Sequence, residues 1–183
     1  MTIKDLTHML LTVDEETELQ HDLELLENKE YSAFYTVNER IIRNILFLEN
    51  LDEFLDFVSE EDLDVECFCF AYLCEKQYGI SLGGYEDDVR PTLKSFLNGK
   101  GINSSELQTL IAKERIYTEC DDVDNFKSSV SAMNQILNNT GMRLVVFEDG
   151  KYCDCEYSMF LVTEDLYTDI VESWESDNFD IYA

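Results

Sequence analysis

The first half of the chain repeats its apolar positions at helical spacing. Residues 3–11 and 14–28 predict two amphipathic helices. Thr36-Val-Asn-Glu39 has the form of a capping box, in which the Thr hydroxyl accepts from a free backbone N–H and the Glu reaches back to the cap. Behind it Ile41, Ile42, Ile45, Leu46 and Leu48 keep helical spacing to residue 49. Residues 52–58 predict a short helix. Ser59-Glu-Glu-Asp62 predicts the start of a helix that runs to Tyr78 and stops at Gly79, with Val65, Cys69, Tyr72 and Leu73 on its inner stripe. Pro91 suits the first turn of a helix ending near Asn98, and Asn103-Ser-Ser-Glu106 opens one more.

The period changes in the second half. Residues 115–120 predict a strand. Asp121 or Asp122 caps a helix in which Phe126, Val130, Met133 and Leu137 recur at i, i+4, i+7 and i+11, ended by Gly141. Residues 143–147 are a continuous apolar run, as in a strand buried on both faces. Asp149-Gly150 signals a tight hairpin, with residues 152–162 returning as the partner strand. Thr163 caps a last helix, with Glu164 and Asp165 in its positive first turn. Helices followed by β-α-β-β-α define an α+β class with a small sheet. The expectation is one domain over residues 1–183, its helical part at 1–114 and its α/β part at 115–183.

Charge changes this picture more than any motif does. Asp and Glu number 40 against 13 Lys and Arg, a net charge of −27. Solubility needs only about 2–8 units in a small domain, and the excess repels itself in the compact state. The apolar fraction of 45% rules out a disordered acidic tail. Residues 1–66 hold 19 acids and 4 bases, 67–115 hold 6 and 6, and 116–183 hold 15 and 3. Two acidic lobes flank a neutral middle that carries Pro91 and five of the seven glycines. Met1-Thr-Ile-Lys-Asp-Leu has no basic stretch leading into an apolar one, and no run of about 18 apolar residues occurs. A cytoplasmic location in a bacterial host cell, with six reduced cysteines, is therefore expected.

The acidic clusters are the candidate partner-binding residues. Glu119, Asp121, Asp122 and Asp124 gather at a strand-to-helix corner. Asp154 and Glu156 alternate on a strand and so share a face. Asp165, Asp169 and Glu172 share one face of the last helix, with Glu164 offset from it. Arrayed on a folded surface, such carboxylates can take the places of phosphates on another protein's Lys and Arg, in fast, salt-sensitive association. A solvated face is the plain alternative for any one cluster.

Other chemistry is thinner. Asp149-Gly-Lys151 fits the acid-x-Lys signature of restriction-type nucleases, with Asp122 or Glu119 as a second acid, but the turn alone explains Asp-Gly. Cys67-x-Cys69 and Cys153-x-Cys155 could be paired metal ligands, but Cys67 and Cys69 lie on a predicted helix, where i and i+2 diverge, and a one-residue spacing is a weaker signature than a two-residue one. His8 and His21 both fall in the N-terminal helices. No cofactor or metal is expected. Tyr85 and Trp174 suit interface anchors or partial core.

In size, acidity and lack of catalytic motifs the chain resembles phage and mobile-element anti-defence proteins, namely anti-CRISPR proteins and acidic antirestriction DNA mimics. The resemblance implies inhibition by protein contact with a basic nucleic-acid-binding partner, a Cas9-type effector or a restriction enzyme, with no direct nucleic acid or membrane binding. The neutral middle, around Gly83 to Lys100, suits apolar contacts or a homodimer. A metal-dependent nuclease, or inducer of guide RNA or DNA cleavage, and a host cytosolic binding or immunity module are the alternative readings.

Overall fold

The computed structural model describes residues 1–46, 48–60, 63–82, 90–113, 123–149, 157–176 and 178–182. They form two compact units, Ile3–Lys76 and Gln77–Ala183, the latter including Met1–Thr2. The class is α+β, with a helical N-terminal half and a small antiparallel sheet. The change of period near residue 115 falls within the second unit.

The first unit packs α1 (Ile3–Leu10), α2 (Val13–Glu27), α3 (Tyr31–Leu46), α4 (Leu51–Glu60) and α5 (Val65–Glu75). Aromatic rings fill its centre. Phe34 lies 5.0 Å from Phe68 and 6.1 Å from Phe54, between ring centroids, and Tyr35 and Tyr72 extend the cluster. Such pairs add about 0.5–1.5 kcal/mol each beyond the area they bury. Thr12 caps α2 in a full capping box with Glu15, a start signal the periodicity placed one residue late.

Two predicted helix starts are corrected. Thr36 lies inside α3, its hydroxyl donating to the Ser32 carbonyl at 2.8 Å, so the 36–39 box opens no helix. A kink at Asn38 (φ −115°, ψ 16°) marks the place instead. Ser59 lies inside α4 and donates to the Asp56 carbonyl at 2.7 Å. The next helix is capped by Asp64, which accepts from Glu66 N at 2.7 Å and Cys67 N at 3.3 Å. It ends at Glu75, before Gln77 turns left-handed (φ 64°), and Gly79 opens a strand where a stop was expected.

Among the described residues the second unit has four strands, in the order β1-β3-β2-β4: β1 (Gly79–Leu82), β2 (Met142–Asp149), β3 (Tyr157–Thr163) and β4 (Phe179–Tyr182). All pairings are antiparallel. Helices α6 (Arg90–Gly99), α7 (Ser105–Lys113), α8 (Val123–Leu137) and α9 (Glu164–Ser173) belong to the same unit. One alternating set of strand residues, Leu82, Leu144, Val146, Tyr157, Met159 and Leu161, packs with apolar residues of α6, α7 and α8. The other set includes Phe147 and Phe160, and the Trp174 ring that follows α9 sits 4.6 Å from Phe147. Residues 144–147 are therefore fully buried, as the apolar run predicts. Asn134 of α8 satisfies the edge of β2 before β4 begins: its amide accepts from Leu144 N at 2.7 Å and donates to Leu144 O at 2.8 Å.

The register of the β2–β3 pair also differs from the expected one. Glu148 pairs with Tyr157, and Asp149 is the last residue of β2, opposite Phe179 of β4. A two-residue turn at 149–150 would pair Glu148 with Lys151, so this register excludes it. The predicted strand at 115–120 lies outside the described residues, as does Tyr85. Neither β1 nor β4 has a sequence signal, because each is only four residues long.

Gly79 faces Phe160 across β1 and β3, and a Cβ there would meet the Phe160 ring at 2.6 Å and the Met159 carbonyl at 2.7 Å. Backbone cannot give way as a side-chain tip can. Gly79→Ala is expected to destabilise the fold by about 1–3 kcal/mol, seen in urea unfolding as a lower midpoint with an unchanged slope. An unaltered midpoint would contradict this seating of β1.

Candidate functional site

The predicted site residues divide by position. Glu119, Asp121, Asp122, Asp154, Glu156 and Lys151 lie outside the described residues, and of Asp124 and Asp149 only the backbone, on α8 and β2, is described. The structure describes the α9 group fully. Thr163 caps that helix by accepting from Leu166 N at 3.4 Å. Ile170 turns inward and is fully buried, which directs Asp165, Asp169 and Glu172 to solvent. Among the described residues none of these three makes an ion pair. Glu164 differs: it accepts from Arg143 Nη2 at 2.7 Å. Arg143 is itself buried and also donates to the Met142 carbonyl at 3.0 Å and to the Asn138 side chain. Glu164 thus holds the start of α9 against β2, while the other three form an open acidic face.

Trp174 is partial core, its Nε1 donating to the Phe179 carbonyl at 3.2 Å. Cys67 and Cys69 both fall on α5, two residues apart. Burial pushes the Cys69 thiol up to about 12, which keeps it protonated and a poor nucleophile. Among the described residues no group of three or more His, Cys, Asp or Glu is placed to hold a metal ion. His8 of α1 sits 2.8 Å from Glu16.

A second polar site was not anticipated. In the first unit a cavity of about 370 Å³ is bounded by α2, α3 and α5. Lys76 donates to Glu18 at 2.6 Å, and the Tyr72 hydroxyl donates to the Glu15 carbonyl at 3.0 Å and to Glu18 at 3.2 Å. The Lys76 ammonium lowers Glu18 from its ordinary value, and burial raises Tyr72 to about 12. Arg40 of α3 pairs with Glu75 of α5 at 2.9 Å. Asp22, 8% exposed, lines the same cavity. The buried Asn38 is its hydrogen-bond partner, and Asn38 also donates to the Phe34 carbonyl at 3.2 Å, at the kink of α3. The sequence did hold a signal, because Asp22 falls on the stripe of α2 that buries Leu19 and Leu25.

No protein-family model matches the chain, and neither curated proteins nor solved structures give a match.

Burial raises the Asp22 carboxyl from its ordinary 3.8, opposed by the hydrogen bond from Asn38 and the charges of His21 and Lys76. The ionised form is therefore held less well in the fold than in the unfolded chain. Stability tied to this group is fully present below about pH 3.8 and is lost as pH rises through the folded value. Asp22→Asn stands in for the protonated form. It is expected to raise the melting temperature at pH 7, with the gap to the natural chain closing as pH falls toward 3.8. Thermal unfolding at stepped pH reads this directly, and a gap that did not change with pH would refute it.

Proposed function

We propose that the protein is a non-enzymatic acidic inhibitor that offers its carboxylates to the basic, nucleic-acid-binding surface of a bacterial defence effector, acting in the host cytoplasm. The observation that carries this reading is the open face of α9, where Asp165, Asp169 and Glu172 stand on a rigid helix with no ion pair to a described cation. Arg40, Arg43, Lys76 and Arg143 are each already paired with a carboxylate of this chain. Residues 3–76 add 20 acids against five bases.

Spacing decides how such a surface acts. Neighbours on the α9 face rise about 4.5–6 Å along the helix, whereas duplex DNA carries one charge per about 1.7 Å of axis. One helix is thus a dilute copy of a phosphate backbone. The field that draws a basic partner comes from the whole net charge of −27, and the helix face supplies ordered local contacts. Beyond about 8 Å at physiological salt that field is screened, so capture is fast at low salt and weak at high salt. The anti-defence resemblance supplies the partner class, a Cas9-type effector or a restriction enzyme. No helix among the described residues is long and apolar enough to cross a membrane.

The test is competition. Labelled duplex DNA bound to a guide-loaded Cas9-type effector, or to a restriction enzyme, is challenged with this protein between about 50 and about 200 mM salt. Displacement that weakens as salt rises is expected. Neutralising the face with Asp165→Asn, Asp169→Asn and Glu172→Gln together should weaken displacement about tenfold, the low end of steering effects, and leave the melting temperature nearly unchanged. Displacement indifferent to salt, or absent with every basic nucleic-acid-binding protein tried, would overturn the reading.

A further inference from the structure

The charges lining the cavity of the first unit do not cancel. Three carboxylates, Glu18, Asp22 and Glu75, face two permanent cations, Arg40 and Lys76, with the exposed His21 beside them. Lys76 is committed to Glu18 at 2.6 Å and Arg40 to Glu75 at 2.9 Å. The negative charge left over is the most buried of the three, Asp22, at 8% exposure. Among the described residues it has no ion pair. A carboxylate can accept about four hydrogen bonds. The Asn38 amide has two donors and spends one on the Phe34 carbonyl, so it can meet only one of those four.

A buried charge without a counter-charge costs stability, and proteins normally pair it. Here the cavity leaves room for the missing partner to come from outside. We propose that the cavity is a binding site for one organic cation, a guanidinium, seated with its N–H donors on the Asp22 carboxylate. The planar donor fork of a guanidinium matches a carboxylate in two parallel hydrogen bonds, and the group is more weakly hydrated than an ammonium, so it enters a half-closed site at lower cost. The Tyr72 ring already holds one cation, with Lys76 Nζ 5.1 Å from its centroid, and gives the cavity an aromatic wall. An anion would have to displace Glu18 from Lys76 or Glu75 from Arg40 and then face Asp22. The volume, about 370 Å³, lies near the lower end of small-molecule pockets, about 300–1,000 Å³. That suits one arginine side chain or one small free guanidine.

The site belongs to the first unit and does not depend on the α9 face or on any inhibitory role. The experiment is an amide-resolved NMR titration of the full chain with N-acetyl-arginine methylamide, with agmatine as the free guanidine, and with the uncharged citrulline analogue as control. Saturable shifts at His21, Asn38 and Tyr72 are expected with the two guanidinium probes and not with citrulline. Tighter binding of the blocked arginine would assign the cation to a protein segment, and tighter binding of agmatine would assign it to a free metabolite; both support the site. Asp22→Asn, which should fold at least as well as the natural chain, is expected to weaken binding at least tenfold. The proposal is overturned by an absence of saturation, by equal binding to Asp22→Asn, or by shifts that spread over α2 and α9 without favouring the cavity. No basic protein enters the titration, so its failure leaves the inhibitor reading intact, and failure of DNA competition leaves the cavity intact.

Discussion

The structure answers first to its shortage of positive charge. With 13 basic residues against 40 acidic ones, ion pairing cannot hold this chain together. Each exposed pair contributes at most about 1 kcal/mol, and the uncompensated carboxylates push the compact state apart. Apolar burial has to carry the fold. In the first unit it does so through the ring cluster around Phe34, Phe54 and Phe68. In the second it works through two central strands whose successive side chains are buried on opposite faces of the sheet. The acids are then free to face water, which is the condition for offering them to anything else.

The same shortage explains where the few buried charges sit. Arg143, 8% exposed, is met by Glu164, by the Asn138 side chain and by the Met142 carbonyl. Three of its N–H donors are engaged, so it ties the start of α9 to β2 and to Asn138, which follows α8. Asp22 is equally buried, meets Asn38, and makes no ion pair among the described residues. The two sites are opposites: one closes a charge and fixes a helix, the other leaves a charge open at the wall of a cavity. Physical chemistry favours the first wherever stability alone is selected, so the second is the place where a ligand has something to contribute.

Much was legible in the local pattern. The run at 143–147, the cap at Thr163, the i, i+3, i+7 stripe of Val130, Met133 and Leu137, and the outward face of Asp165, Asp169 and Glu172 all follow from periods of 2 or 3.6 and from capping chemistry. Those signals are short-range, and nothing distant competes with them. They failed where a partner elsewhere in the chain outweighed them. Ser59 and Thr36 found carbonyl acceptors inside longer helices, and Asp149 found a strand partner in Phe179.

By itself the sequence determined the class, the extreme acidity and which helix face carries carboxylates, because composition and periodicity are properties of neighbours along the chain. Only the tertiary structure decided that Glu164 belongs to Arg143 while the rest of the α9 acids stay open. It alone brought Asp22, Asn38, Tyr72, Arg40 and Lys76 around one cavity. Those residues come from three helices, Asp22 and Lys76 more than fifty positions apart, and no spacing rule reaches across such a distance. What joins them is the packing of apolar faces on α2, α3 and α5, and the polar residues are carried along with it.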